Sequence, residues 1–171
     1  MKQWIALLRG VNVGGRTVRM EDLRKALDEL GLENVKTVLQ SGNVTFDSAD
    51  GAAPLKERLE SGLRQRFGYD AKVQVIERER LRQVIDAYPF GSPESSEHDY
   101  VIFLEKGLER DLAAGTVDLG TQERVAAGDG VVYWRVDKGS TLTTSFAKLL
   151  TKAKYREHNT NRNLNTLHKL L

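Results

Sequence analysis

Hydrophobic and polar positions alternate through the first half of the chain in segments that predict strands and helices. The apolar run Lys2–Leu8 is typical of a buried strand. Leucines at helical spacing predict one helix over Met20–Leu30 and another over Pro54–Phe67. The remaining extended segments are Val35–Gln40, Val44–Asp47 and the stretch around Val73 and Val75. The order strand, helix, strand, strand, helix, strand is the split βαβ pattern of ferredoxin-like folds.

The segment Ser41-Gly42-Asn43 separates the two extended stretches in the middle of this half. Glycine and asparagine tolerate positive φ angles, so the segment predicts a tight hairpin turn. Gln40 and Ser41 add hydrogen-bonding groups that such a turn does not need. The turn is therefore also a candidate binding element.

The second half repeats this element order without visible sequence identity. A predicted helix over Leu81–Tyr88 is followed by Pro89–Ser96, whose prolines and glycine are typical of a linker. Beyond it we predict strands at Tyr100–Glu105, Glu123–Ala126 and Val131–Val136, and helices at Leu108–Ala114, at Thr144–Thr151 and from about Arg162. We therefore expect an α+β protein of two ferredoxin-like subdomains, residues 1–88 and 97–171, packed as one unit.

The composition narrows the class of protein. The 171 residues are 40% hydrophobic and 29% charged and include no cysteine, which excludes a disulfide scaffold, thiol catalysis and Cys-based metal sites. We expect neither a metal nor a cofactor. The N-terminal apolar stretch is too short for a signal peptide, and no run approaches the ~20 apolar residues of a membrane span. We therefore expect a cytoplasmic protein without a membrane partner.

The net charge of +2 conceals an uneven distribution along the chain. Residues 1–85 carry a net +3, residues 86–137 a net −7 and residues 138–171 a net +6. Such separation fits a molecule that presents one cationic face to an anionic partner. It fits equally well two subdomains that attract each other.

The segment Arg9–Thr17 is a glycine-rich basic loop between the first strand and the first helix. Such loops bind phosphate because glycines allow backbone N–H groups to converge on an anion. Gly10 and Gly15 have the spacing of a P-loop, but Arg16 stands where that template requires lysine. The predicted hairpin also replaces the parallel crossover of a nucleotide hydrolase. The loop either binds an anion or only turns the chain.

The C-terminal segment is basic and rich in asparagine. Thr160 or Asn161 can cap a helix whose N-terminus would carry Arg162, and a helix N-terminus attracts anions. Alternatively, the asparagines only cap the helix and the lysines only contact solvent. Both interpretations stay open.

Four segments of the chain resemble the bacterial family called domain of unknown function 1697. They are Ile5–Gly15, Met20 with Asp22-Leu23-Arg24, Leu39–Phe46, and Thr160–Thr166 with Lys169-Leu170. The resemblance implies an α+β fold of two ferredoxin-like subdomains and no known activity. In the C-terminal motif, Asn161 is inserted and Leu164 replaces the family's usual tryptophan. If the family's tryptophan ring stacks on a ligand, Leu164 in its place makes ligand binding at this motif less favourable.

The three segments with candidate chemistry are among the four that carry the resemblance. We expect them to form one polar, cationic surface that binds an anion, either nucleic-acid backbone or a phosphorylated metabolite. Its residues would be Arg9, Asn12, Gly14, Gly15, Arg16, Gln40, Ser41, Asn43, Arg162, Asn163 and Asn165. Base stacking of the kind used by RNA-recognition modules is not expected, because Trp4 and Phe46 are predicted core residues.

Two other functions stay open at this point. An enzyme acting on a phosphorylated small molecule needs a base that the sequence does not identify. His98 beside Asp99 is typical of a surface pair, and the neighbours Glu157 and His158 would point in different directions on a helix. A non-catalytic interaction module could pair through exposed strand edges, and the sequence leaves the oligomeric state open.

Overall fold

The computed structural model describes residues 1–105, 107–116 and 119–171. They form two compact units, Met1–Leu81 with Lys169–Leu171, and Arg82–His168. Each unit contains one four-stranded antiparallel sheet. In the described part of the chain, no helix is both long and apolar enough to cross a membrane.

The first unit contains strands β1 to β4, helices α1 and α2, and the first residues of α3. Their bounds are β1 Lys2–Arg9, α1 Met20–Glu29, β2 Glu33–Val38, β3 Asn43–Ser48, α2 Ala52–Phe67, β4 Lys72–Glu77 and α3 Arg78–Asp86. The strand order is β2-β3-β1-β4. β1 is thus a central strand, and its register with β3 places Leu7 opposite Asn43. The C-terminal end of β1 therefore lies beside the turn that joins β2 to β3.

Helices α1 and α2 supply the apolar residues that pack on one face of this sheet. Leu23 and Leu27 of α1, with Leu55, Leu59 and Leu63 of α2, share a core with the strand residues. The strand contribution includes Trp4, Ala6, Leu8, Val44, Phe46, Val73 and Val75. Residues between these on β1 are also buried, which explains why the strand has a continuous apolar run instead of an alternating one.

The second unit contains the rest of α3, four strands and four further helices. Their bounds are β5 Glu97–Leu104, α4 Leu108–Ala114, β6 Glu123–Ala127, β7 Val131–Asp137, α5 Ser145–Leu150, α6 Ala153–Arg156, β8 Asn159–Asn163 and α7 Leu164–His168. The strand order is β6-β7-β5-β8. Its core includes Ile102, Trp134 and Phe146, which are at most 1% exposed.

The same backbone contact recurs at the end of the first strand of each unit. In the first unit, the Leu8 N–H donates to the carbonyl oxygen of Gly42 at 2.7 Å. In the second, the Leu104 N–H donates to that of Gly130 at 3.4 Å. Each central strand is thus tied to the hairpin turn beside it, and the two halves share their element order.

A buried ion pair organises the second unit. Arg135 on β7 lies opposite Asp99 on β5, with distances of 2.7 Å from Nε to Oδ1 and 2.8 Å from Nη2 to Oδ2. The guanidinium also donates to the carbonyl oxygens of residues 90–92. Pro89–Ser96, the segment with linker composition, is therefore held by Arg135 within this unit.

The expected C-terminal helix is present but begins at Leu164 instead of about Arg162. Residues Asn159–Asn163 form the edge strand β8, in which Arg162 pairs with Val101 of β5. Helix α7 begins only at Leu164 and has five residues. Residues with strong helix-capping preference misled the prediction, because β8 is short, polar and specified by pairing with a distant strand rather than by its own pattern.

Replacing Arg135 by glutamine is expected to destabilise the protein by about 3–5 kcal/mol, because Asp99 is left as a buried charge without its partner. Urea unfolding followed by circular dichroism measures the change. The matched control is Arg64→Gln, which removes an exposed pair with Asp70 and should leave the free energy of unfolding almost unchanged. Equal effects of the two substitutions would contradict the role assigned to the buried pair.

Candidate functional site

The glycine loop, residues 10–17, and the β2–β3 turn, residues 39–42, lie side by side in the first unit. Asn12 Nδ2 donates to the carbonyl oxygen of Gln40 at 3.1 Å, and the Leu8 N–H donates to the carbonyl oxygen of Gly42 at 2.7 Å. We call residues 10–17 and 39–42 together the loop surface. Two of the three segments selected from the sequence are therefore adjacent.

The side chain of Asn12 holds the loop closed. Its Oδ1 accepts a hydrogen bond from the Val18 N–H at 2.8 Å, while its Nδ2 donates to the turn. Both polar ends of this side chain are therefore engaged within the protein. Asn12 therefore connects the loop to the β2–β3 turn. Its amide suits this role because it can donate one hydrogen bond and accept another at the same time.

The glycines of the loop surface serve two different purposes. Gly10, Gly14 and Gly15 have φ angles of +73°, +69° and +78°, and a Cβ at any of them would meet nothing within 4 Å. They are needed for the backbone conformation alone. Gly42 has φ +74°, but a Cβ there would also lie 2.8 Å from Val11 Cγ2 and 2.9 Å from the Leu8 carbonyl oxygen. Its missing side chain allows the turn to approach the loop.

The turn differs from the predicted conformation at two residues. Leu39, not Asn43, shares the positive φ region with Gly42, at φ +58°. This is a conformation that costs a leucine about 1–2 kcal/mol. Asn43 belongs to β3 and is fully buried, with Nδ2 donating to the Val38 carbonyl oxygen and to Ser41 Oγ. Asn43 and Ser41 therefore stabilise the hairpin, whereas the side chain of Gln40 is exposed.

Backbone donors of the glycine loop are left free by the fold. In the part of the chain that the structure describes, no N–H of residues 10–17 donates to a backbone carbonyl oxygen. Residues 12–17 are exposed. Such donors are satisfied by water or by a bound acceptor. The loop surface thus offers a set of N–H groups to solvent.

Arg16 lies against Tyr69 at the edge of this loop. The guanidinium carbon is 4.6 Å from the ring centroid, a cation–π distance. No carboxylate among the described residues forms an ion pair with Arg16. Tyr69 is 7% exposed, its hydroxyl has no hydrogen-bond partner among those same residues, and burial raises the pKa of that hydroxyl. The ring therefore positions an arginine whose charge is not neutralised.

The start of helix α1 does not belong to the candidate anion site. Glu21 and Asp22 lie in its first turn, where they offset the positive end of the helix dipole. Glu21 also lies 3.7 Å from Arg19 and 3.0 Å from Lys25. The candidate anion-binding groups are therefore the loop backbone and Arg16, and Arg9 is the last residue of β1.

The third selected segment lies in the second unit. Arg162 Nη1 donates to the Asn161 carbonyl oxygen at 2.8 Å and to Thr160 Oγ1 at 3.1 Å. Burial lowers the pKa of its guanidinium to about 10, which keeps it protonated at neutral pH. Asn163 Oδ1 accepts the Asn165 N–H at 2.9 Å. Arg162 is thus a strand residue that precedes α7, instead of lying in the first turn of a helix as expected.

Neither histidine pair considered as an acid/base pair is formed. Asp99 pairs with Arg135 instead of His98, and His158 Nδ1 lies 3.2 Å from Glu105 Oε1 instead of pairing with Glu157. Among the residues that the structure describes, no group of three or more histidine, aspartate or glutamate side chains is placed to hold a metal.

A cavity of about 260 Å³ that the sequence did not indicate lies at the opposite end of β1. We call it the sheet-face cavity, and its polar and charged lining residues are Gln3, Asn34, Lys36, Thr45, Asp47, Arg78 and Lys169. These residues come from five separate segments of the chain. They form no motif, so only the folded sheet brings them together.

The protein is therefore an α+β protein with two four-stranded antiparallel sheets. The chain belongs to a family of proteins of unknown function, DUF1697, whose model matches residues 1–133. The loop surface lies within the match, whereas the C-terminal motif Thr160–Thr166 lies beyond it. A solved structure, that of the conserved bacterial protein SP0830 from Streptococcus pneumoniae, is similar at a TM-score of 0.79 and 28% identity. The similarity covers 99% of this chain and 96% of that one. No curated protein matches the chain.

Gly42→Ala is expected to destabilise the protein more than Gly14→Ala. Both substitutions place a Cβ at a positive φ, which costs about 1 kcal/mol, but only the first also overlaps Val11 and the Leu8 carbonyl. The overlap should add about 1–3 kcal/mol. Urea unfolding of both variants measures the difference. Equal losses would mean that the loop and the turn are not in close contact.

Proposed function

We propose that the loop surface of the first unit binds a phosphate group, carried either by nucleic-acid backbone or by a phosphorylated metabolite. The observation that supports this most is the coincidence of unused backbone N–H groups in residues 10–17 with the guanidinium of Arg16. Backbone donors and an arginine are the groups that proteins use to hold phosphate oxygens.

Arg16 is suited to this role by its position. Contact with the Tyr69 ring restricts the guanidinium, so less side-chain entropy is lost when it binds. One face of the planar group lies against the ring, and its N–H edge can donate two parallel hydrogen bonds to a phosphate. A lysine at this position would supply the charge but neither the stacking nor the bidentate contact.

A nucleic acid bound here would be held through its phosphates. Trp4 and Phe46 are 5% and 2% exposed beneath helices α1 and α2, so these rings of the first sheet are not available to stack on bases. Phosphate contacts fix the position of a nucleic acid without reading its sequence. The proposal therefore includes binding that is sensitive to salt and indifferent to base sequence.

The proposal also classes each unit as a ferredoxin-like, split βαβ arrangement. The strand orders β2-β3-β1-β4 and β6-β7-β5-β8 support it, because in both the second hairpin strand lies between the first two strands of the unit. In such a unit the loop after the first strand lies beside the hairpin turn, which is where the proposed phosphate site falls.

Arg16→Gln is expected to weaken binding of a fluorescein-labelled single-stranded oligonucleotide about tenfold or more, because charge-assisted hydrogen bonds contribute roughly 1.5–3 kcal/mol. Fluorescence anisotropy at 50 and 200 mM salt measures it, and wild-type affinity should fall steeply with salt. Arg64→Gln, which removes the same charge from α2, is the matched control and should change little.

Titration of the wild-type protein with inorganic phosphate, followed by NMR of the loop amides, separates the two sources of phosphate. Shifts with phosphate but no oligonucleotide binding assign the site to a phosphorylated metabolite. Neither response at low salt would refute the proposal. The contribution of Arg162, Asn163 and Asn165 stays a prediction, which Arg162→Gln tests in the same assay.

A further inference from the structure

We propose that the sheet-face cavity is a second binding site, which takes a small phosphate monoester. It shares no residue with the loop surface, and it lies near the N-terminal end of β1, whereas the loop surface follows its C-terminal end. The proposal therefore does not depend on the function proposed for the loop. The cavity is formed within the first unit, on the sheet and the C-terminal residues Lys169–Leu171.

The charge of the cavity suits a phosphate. Three cationic side chains line it, Lys36, Arg78 and Lys169, and among the described residues none of them forms an ion pair. Asp47 is the acidic side chain in the lining. The lining side chains are therefore net positive, which favours an anion such as a phosphate monoester, whose charge is about −1.5 to −2 at pH 7. Cations gathered without carboxylate partners are costly unless an anion joins them.

Arg78 is positioned to make the principal contact. Its Nη1 donates to Gln3 Oε1 at 2.6 Å, which fixes the plane of the guanidinium. Its Nε is buried and has no hydrogen-bond partner among the described residues. A buried donor without an acceptor is unfavourable by about 1–3 kcal/mol. A phosphate oxygen in the cavity would satisfy this donor after a small shift of the side chain exposes it.

The acidic residue of the cavity is already engaged. Asn34 has a left-handed conformation, φ +53°, at an irregularity in β2, where the register with β3 shifts between Glu33 and Lys36. From there its Nδ2 donates to Asp47 Oδ2 at 2.7 Å. The bulge thus places Asn34 as the partner of the Asp47 carboxylate. The charges of Lys36, Arg78 and Lys169 therefore stay available to a bound anion.

The volume and the remaining lining restrict the rest of the ligand. About 260 Å³ lies just below the range of cavities that hold drug-sized molecules. Ile5, Val38 and Leu170 add apolar surface beside the charged groups. The site therefore fits a phosphate attached to a short organic group, and it is too small for a polymer.

Backbone amides of the cavity lining provide a direct measurement. Gln3 and Thr45 line the cavity, whereas Trp134 is in the second unit and donates to Glu123. Titration with glycerol 3-phosphate, followed by ¹H–¹⁵N NMR, should shift the amide signals of Gln3 and Thr45 and leave the indole signal of Trp134 in place.

Arg78→Gln should weaken glycerol 3-phosphate binding about 10–100-fold, and Arg78→Lys, which keeps the charge but loses the fork, should have an intermediate effect. Lys36→Gln should weaken binding less. Arg64→Gln, which removes an exposed charge of α2 outside both sites, is the matched control and should leave this binding unchanged. The spectrum of each variant confirms that it is folded, and Arg78→Lys keeps the test valid if the glutamine variant is not.

Three results would overturn the proposal. One is the absence of shifts at the Gln3 and Thr45 amides at saturating glycerol 3-phosphate. Another is a shift that Arg16→Gln abolishes and Arg78→Gln does not, which would place the phosphate at the loop surface. The third is tighter binding of succinate than of glycerol 3-phosphate, which would make the ligand a dicarboxylate. Loss of oligonucleotide binding in the loop variants bears on the loop surface alone, so the two proposals fail independently.

Discussion

The antiparallel pairing of β1 with β3 determines where the candidate site of the first unit lies. Because Leu7 is opposite Asn43, the C-terminal end of β1 lies at the same end of the sheet as the β2–β3 turn. The hydrogen bond from Leu8 to Gly42 closes this edge, and Gly42 permits the approach because a Cβ there would meet Val11 and the Leu8 carbonyl. The loop surface is therefore a consequence of strand order and of one missing side chain. The second unit repeats the backbone contact, which indicates that the constraint belongs to the arrangement of strands rather than to particular loop residues.

Local patterns were sufficient to predict most elements of this fold. The leucines of α1 and α2 and the apolar run of β1 identify their elements because each buries a face that the sequence periodicity reveals. Strand β8 escaped prediction because nothing in five polar residues reports their pairing with β5. The Arg135–Asp99 pair escaped for the same reason, since the two residues lie 36 positions apart and each is ordinary in its own segment. Contacts that depend on distant partners are outside the reach of periodicity.

The candidate site shows a second limit, which concerns the use of polar groups. The sequence pattern predicts that asparagine, serine and arginine side chains bind the ligand together. The amides of Asn12 and Asn43, however, form hydrogen bonds within the loop and the hairpin. A polar residue in a loop is available to a ligand only if the fold leaves it unsatisfied, and that depends on the atoms around it. Arg16 and the amides of residues 10–17 meet this condition. At the sheet-face cavity, the Arg78 Nε meets it as well, although no motif marks that residue.

Net charge is a poor guide to these sites because cations differ in whether their charge is neutralised nearby. In the first unit, Lys2 lies 2.9 Å from Glu77 and Arg58 lies 2.8 Å from Asp50. The opposite charges of such a pair largely cancel, so the pair attracts a distant anion only weakly at physiological ionic strength. Arg16 and Arg78 have no carboxylate partner among the described residues, so their fields extend to whatever lies in front of them. A total of +2 over the chain averages the two kinds of cation. The attraction for an anion is set by the cations that lack a carboxylate partner. Two of these in the first unit, Arg16 and Arg78, lie near unused hydrogen-bond donors at the two ends of β1.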